Sequence, residues 1–331
     1  MYGWPRDYLR EEQAADLKLV ADALFANGIN DMVWHGKAHI PKDSAGRGIY
    51  TVYIGEGSKL TPEIRPFNAY LEKVSSYMRK GVTYSDVAVY LPTEDAWTAG
   101  ILPKEKRLRW SWGYYEMRYV YFPDELAGYN PTWINGEFLQ KAEVKNGVMN
   151  VGGAACKALY IDVAYLDFNV LKRVVELAES GLTIILKQVP KEPGTLLHSD
   201  YASLIEKLNT LKTSAIPKSL PPFIEGNTIP NHWCRKEGET LYIFFPQPNA
   251  NRLKFPIEYG QSLETATKTM DVSINYQGQR HNLSLSFAPY QSLLYAVSNG
   301  KIEQISIEFI PLTPEVRQRP ADFKAPWLAN E

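Results

Sequence analysis

The chain has 331 residues, 45% of them hydrophobic and 22% charged, with a formal net charge of -1. That length allows two or three domains with real cores, and a balanced charge without long like-sign runs argues against binding a phosphate backbone or an anionic membrane. Its two cysteines, Cys156 and Cys234, can build neither a disulfide framework nor a cysteine-rich zinc site.

No apolar run approaches the roughly 20 residues that span a bilayer. The opening Met1-Tyr2-Gly3-Trp4-Pro5 lacks the basic and apolar regions of a signal peptide, so as written the chain would stay in the cytoplasm. An extracytoplasmic location would require an export segment on a longer parent, and the compartment stays open.

From the N-terminus, Leu17, Val20, Ala21, Leu24 and Phe25 recur at helical spacing within 10–26, and Asn27-Gly28 supplies the stop. Asp31 to Trp34 then read as a short strand opening into a loop that carries His35, Gly36 and His39. Helix, Asn-Gly, strand and loop make an α/β unit, in which residues just past the strand end line the ligand crevice. Residues 42–66 hold six Gly and Pro and form a long loop of the kind that is functional or disordered. A second amphipathic helix follows over 67–79, with Phe67, Tyr70, Leu71, Val74 and Met78 on one side.

Ser85 to Leu91 is a buried strand of parallel-sheet type. Residues 100–129 are aromatic and basic together and fit either a strand pair or a helix. Residues 130–140 read as a helix entered at Pro131, and Asn146-Gly147 turns into a strand over 148–151. Strand 157–163, helix 167–180 and strand 181–186 form a βαβ unit, and with 87–91 they predict a flavodoxin-like α/β domain over 82–216. None of its turns carries a glycine-rich phosphate loop, which argues against a nucleotide or flavin cofactor.

A helix near 201–211 precedes a linker at 217–222. From there the pattern is β, with short strands over 240–245, 271–276, 282–287, 291–297 and 302–309, and hairpin signals at Gln277-Gly278 and Asn299-Gly300. An antiparallel β-sandwich over 217–331, ending in a Pro-rich tail, is the economical architecture. In that region Trp233 reads as a core anchor and Arg235 as one half of an ion pair.

Glu94 and Asp95, just past a strand end, are the best carboxylate pair, and two carboxylates are what glycosidic cleavage uses. Against this, adjacent side chains point in different directions, and N-capping or a solvated loop accounts for both. His35 suits substrate contact or acid-base work, with His39 beside it in the same crevice, the alternative being a loop-fixing hydrogen-bond role for both imidazoles. Four-residue spacing would align the two histidines for a metal only on a helix, which Gly36 denies, so no metal is assigned. Trp34, Trp97, Trp110, Trp112, Tyr129 and Trp133 offer flat faces for sugar C–H surfaces, the alternative being packing of the aromatic insertion onto the sheet. Serine-nucleophile chemistry has no support, because the G-x-S-x-G frame is absent.

W-H-G-x-x-H-x-P at 34–41, V-A-V-Y-L-P at 87–92, A-G-Y-N-P-x-W-I-N at 127–135 and K-A-L-Y-I-D-V at 157–163 together resemble the C-terminal half of glycoside hydrolase family 106, the α-L-rhamnosidases. The resemblance implies a remnant of a (β/α)8 barrel over 1–81, followed by the α/β domain and accessory β-sandwich. It further implies an inverting hydrolase with two carboxylates, a Ca²⁺ ion near the substrate, and a plant or bacterial polysaccharide as carbohydrate partner. Family members are far longer, and the barrel strands that carry their catalytic glutamates find no place here. Two outcomes follow: a diverged hydrolase with its crevice around His35, Glu94 and Trp97, or a non-catalytic carbohydrate-binding or assembly module. Uncovered strand edges and apolar helix faces would then favour a homodimer.

Overall fold

The computed structural model describes residues 13–34, 60–98, 121–251 and 262–312. His35, His39, Trp110 and Trp112 lie outside these, as do most of the long loop at 42–66, most of the aromatic insertion and the Pro-rich tail. Among the described residues no helix is long and apolar enough to cross a membrane.

Helices α1 (Ala14–Phe25) and α2 (Ile64–Met78) come first, then strands β1 (Val82–Thr83) and β2 (Val87–Tyr90) and helix α3 (Thr93–Thr98). Strand β3 (Pro131–Ile134) leads into α4 (Gly136–Gln140), β4 (Glu143–Lys145), β5 (Val148–Val151) and β6 (Ala154–Cys156). Next come β7 (Ala158–Ile161), α5 (Phe168–Glu179), β8 (Thr183–Leu186) and α6 (Tyr201–Leu211). The described residues of the last part are mostly strand: β9 (Ile224–Gly226), β10 (Trp233–Glu237), β11 (Thr240–Phe245), β12 (Lys268–Tyr276), β13 (Gln279–Phe287), β14 (Leu293–Ser298) and β15 (Lys301–Ile305), with a short 3₁₀ turn at Pro248–Ala250.

Contacts divide the chain into two compact units, Met1–Val82 with Glu225–Glu331, and Thr83–Ile224. The segment 1–81, set apart in the sequence reading, thus shares a unit with the C-terminal strands. Its apolar faces explain this: Phe25 of α1 and Phe67, Tyr70 and Val74 of α2 join one core with Phe244, Leu294 and Phe309. Strands β10, β11, β14 and β15 pair antiparallel in succession, and β13, β12 and β9 form a second sheet. Both hairpin signals are realised, with Gln277, Gly278, Asn299 and Gly300 all at positive φ.

Helix α1 departs from the predicted two-sided pattern, since every residue but Leu24 is buried. Its polar side is accommodated by partners. Lys18 Nζ lies 2.6 Å from Asp22 Oδ2 and donates to Ser292 Oγ at 2.8 Å, while Tyr70 and Gln247 also donate to the Asp22 carboxylate. Burial draws the Lys18 pKa down and the Asp22 charge opposes it. A buried pair is tolerable only when its remaining hydrogen-bonding capacity is met in this way.

The predicted strand at Asp31 to Trp34 is absent, because this segment is irregular. After Gly28 the chain runs along α2 instead of entering a sheet. Arg79 donates to Asp31 at 2.6 Å and Trp34 Nε1 to Asn68 at 2.8 Å, while Val33 is 91% exposed. Arg235, read as half of an ion pair, donates to the carbonyls of Lys80 and Gly81 just past α2.

The second unit is α/β. Four parallel strands take the order β3-β2-β7-β8. Alternation along them feeds two cores. Ala88, Tyr90, Leu159, Ile161 and Leu186 face α5, and Val87, Val89, Ala158, Tyr160 and Ile185 face Leu126, Tyr129 and Leu220. Helix α5 buries Val170, Leu171, Val174, Val175 and Ala178 on its sheet side, each larger side chain contributing roughly 1.5–3 kcal/mol. Residues 130–140 are a strand followed by a short helix, not one helix. Pro131 opens β3, and the Asn135 side chain caps α4 by accepting the Phe138 N–H at 3.0 Å.

Candidate functional site

Parallel strands deliver their following loops to one edge, and in open α/β sheets that C-terminal edge is where ligands bind. In the second unit it carries the loop and helix α3 after β2, residues 162–167 after β7, and residues 187–200 after β8. Glu94 and Asp95 stand side by side on α3 and part company there.

Glu94 is 4% exposed. Its Oε1 accepts the Tyr90 hydroxyl at 2.7 Å and, more weakly, the Asp167 N–H at 3.4 Å. Its Oε2 is buried and has no hydrogen-bond partner among the described residues. Burial first, and then the adjacent Glu94 charge, push the Tyr90 phenol far above its ordinary range, so Tyr90 stays a donor. Gly136 makes room at this corner, since a Cβ there would stand 2.7 Å from Val170 Cγ2.

Asp95 turns the other way. Its two carboxylate oxygens accept the backbone N–H groups of Ala164 at 2.9 Å and Tyr165 at 2.7 Å, fixing the loop after β7. Both oxygens of Asp95 are therefore engaged with protein backbone, and the adjacent carboxylates do not face a common bond.

The clamped loop passes the order on. Lys191 bonds to it in both directions, its N–H to the Ala164 carbonyl and its own carbonyl to the Leu166 N–H. Next to Lys191, Glu192 accepts the His198 backbone N–H at 2.9 Å on one oxygen and pairs with His198 Nδ1 on the other. The His198 ring lies on Phe168, with centroids 4.0 Å apart and planes 6° from parallel. Asp167 caps α5 by accepting the N–H groups of Asn169 and Val170. Tyr201 donates to the Leu166 carbonyl, and its phenol is pushed up by burial and then by the charges of Glu192, Asp167 and Glu94.

The remaining predicted contacts scatter. Trp97 on α3 is 79% exposed at the same edge, free to meet a ligand. Tyr129 precedes β3, at the opposite end of the strands, and its hydroxyl donates to the Leu220 carbonyl. Trp133 stacks on Phe122 over one sheet face at 4.5 Å. Trp34 belongs to the other unit, in edge contact with Phe67. Glu192, His198, Phe168 and Tyr201 were not read as site residues in the sequence, where the Pro- and Gly-containing segment 190–194 marks only a break after a strand. The Ca²⁺ ion implied by the resemblance finds no converging set of three His, Cys, Asp or Glu side chains among the described residues.

The profile of a family described as alpha-L-rhamnosidase matches residues 8–215 of the chain. A curated protein of Formosa agariphila, titled "Putative beta-glucuronidase", is 24% identical over 228 residues, which make up 66% of this chain and 18% of that protein. The solved structure of a rhamnosidase from Novosphingobium sp. PP1Y superposes with a TM-score of 0.59 at 14% identity, over 86% of this chain and 30% of its own. The second likeness is one of fold. The chain spans less than a third of the length of either relative.

Proposed function

Because this chain belongs to glycoside hydrolase family 106, the alpha-L-rhamnosidases, we propose that it engages an α-L-rhamnosyl glycan at the C-terminal edge of its parallel sheet. Glu94 is the carboxylate offered to the sugar. The observation that carries this reading is Glu94 Oε2, buried at the edge with no donor among the described residues. An unsatisfied buried acceptor costs roughly 1–3 kcal/mol, and more if charged, and a sugar hydroxyl is a donor of the right kind. Trp97 supplies an exposed aromatic face beside it.

Binding without cleavage follows most directly from Asp95. With each oxygen holding a backbone N–H group, Asp95 is committed to the loop after β7, which weighs against its serving as the second carboxylate of a Glu94–Asp95 pair. Cleavage at this edge is a second reading, favoured by Asp167, whose backbone N–H reaches Glu94 Oε1 and whose side chain uses one oxygen to cap α5. It would use Glu94 as the acid and Asp167 as its counterpart.

The test is titration of the full chain with methyl α-L-rhamnopyranoside and methyl β-D-glucuronide, alongside hydrolysis of the corresponding aryl glycosides, with Glu94→Gln as the variant. Sugar binding that weakens at least tenfold in Glu94→Gln supports the proposal. Turnover abolished by the same change moves the assignment to the second reading. Binding that Glu94→Gln leaves unaltered, or no binding of either sugar, overturns it.

A further inference from the structure

We propose that His198 is a pre-organised sugar-contact residue, presenting an open ring face and its Nε2 to a pyranose hydroxyl, with Glu192 as its positioning residue. The proposal rests on the carbohydrate reading above and deepens it by naming a second contact at the same edge.

The geometry is specific to orienting an imidazole. One Glu192 carboxylate takes both the backbone N–H and the ring Nδ1 of His198. Phe168 covers one ring face in nearly parallel contact. The side chain is still 54% exposed, whereas that of Glu192 is 7% exposed. Nε2 has no partner among the described residues.

An exposed histidine ordinarily keeps its rotamer freedom, and ordering it costs entropy. Burying a carboxylate adds a desolvation cost. The fold accepts both to hold an exposed ring in one orientation, which is the arrangement expected of a group held ready for a ligand.

The protonation pattern follows from Glu192. Burial works against its charge, but the His198 ring and backbone N–H outweigh burial and hold the Glu192 pKa below the ordinary carboxylate value. An ionised carboxylate facing Nδ1 holds a ring proton there, so whenever the ring carries a single proton its lone pair is on Nε2. In that form Nε2 accepts from a hydroxyl, while the free ring face receives C–H groups. Sugars carry both features on one small ring, which a purely loop-fixing histidine would have no use for.

Two measurements on the full chain test this. In the free protein, two-bond ¹H–¹⁵N correlation of the imidazole should show the Nδ1–H tautomer, with the preference lost in Glu192→Gln. A dominant Nε2–H form in the wild type overturns the proposal. On titration with methyl α-L-rhamnopyranoside and methyl β-D-glucuronide, the Nε2 resonance should shift for the sugar that binds. His198→Ala should weaken that sugar at least tenfold, and His198→Phe, which keeps a ring on Phe168, should recover only part of the loss. Equal affinity in wild type and His198→Ala, with no imidazole shift, overturns the role of His198 and leaves the carbohydrate reading standing. No binding of either sugar by the wild type overturns both.

Discussion

Replacing Asp95 by alanine separates a structural carboxylate from a catalytic one. Asp95 holds the Ala164 and Tyr165 N–H groups at 2.9 and 2.7 Å. Hydrogen bonds to a charged acceptor are worth about 1.5–3 kcal/mol each when sheltered. Asp95 is half-buried and Ala164 is exposed, so water recovers part of each bond, and a combined loss of about 2 kcal/mol is expected. At 1.4 kcal/mol per tenfold, this corresponds to about thirtyfold faster hydrogen exchange at those two amides, with a matching fall in the urea midpoint of the α/β unit. Asp95→Asn retains one acceptor oxygen and should lie between. Unchanged exchange at Ala164 and Tyr165, together with loss of sugar binding or turnover, would refute the clamp and return Asp95 to the ligand.

Two further outcomes follow from buried features. Asp86 accepts the Asn130 N–H at 2.7 Å, yet burial pushes its carboxyl up from 3.8 to about 6. Because the folded value lies above the unfolded one, its contribution to stability is complete below about pH 3.8 and is lost as pH rises through about 6. This loss amounts to about 3 kcal/mol. Asp86→Asn keeps an acceptor, so urea titrations at pH 4 and 7.5 should show that much less decline than wild type, and identical declines would refute the assignment. Gly81 sits at φ +46° with its would-be Cβ 1.9 Å from the Lys236 carbonyl oxygen. Gly81→Ala should cost more than the ~1–3 kcal/mol of a strained backbone alone, and a melting temperature within a degree or two of wild type would show that the close approach is not real.

What could be read from the sequence was local. The periodicity of 167–180 and the apolar runs on either side predicted α5, β7 and β8, because one buried stripe and two fully buried strands leave short-range patterns. Turn chemistry located Asn146-Gly147, Gln277-Gly278 and Asn299-Gly300, where the backbone needs positive φ. The strand at Asp31 to Trp34 failed because an apolar run of three, Met32 to Trp34, also suits a segment laid on a helix, and only the distant partners Asn68 and Arg79 decide between them. The short strand β3 was hidden by its proline and by the helical spacing of the residues that follow. The full burial of α1 could not be read either, since Lys18 and Asp22 mark a solvent face until Tyr70, Gln247 and Ser292 are brought to them.

For the candidate site, the sequence pointed to a strand end through Glu94, Asp95 and Trp97 but not to the contacts each of them makes. Glu94 and Asp95 attract attention as neighbours, yet helix geometry sends neighbouring side chains to different places. Here one meets Tyr90 and the other a loop some seventy residues on. That second contact makes the edge one structure. Asp95 fixes 164–165, Lys191 bonds to 164 and 166, Glu192 follows Lys191 and holds His198, and His198 stacks on Phe168 at the start of α5. A side chain that touches no ligand thus sets the position of one proposed to do so. Loss of the Asp95 clamp should therefore loosen His198 as well as Ala164, coupling stability to sugar affinity through backbone links alone.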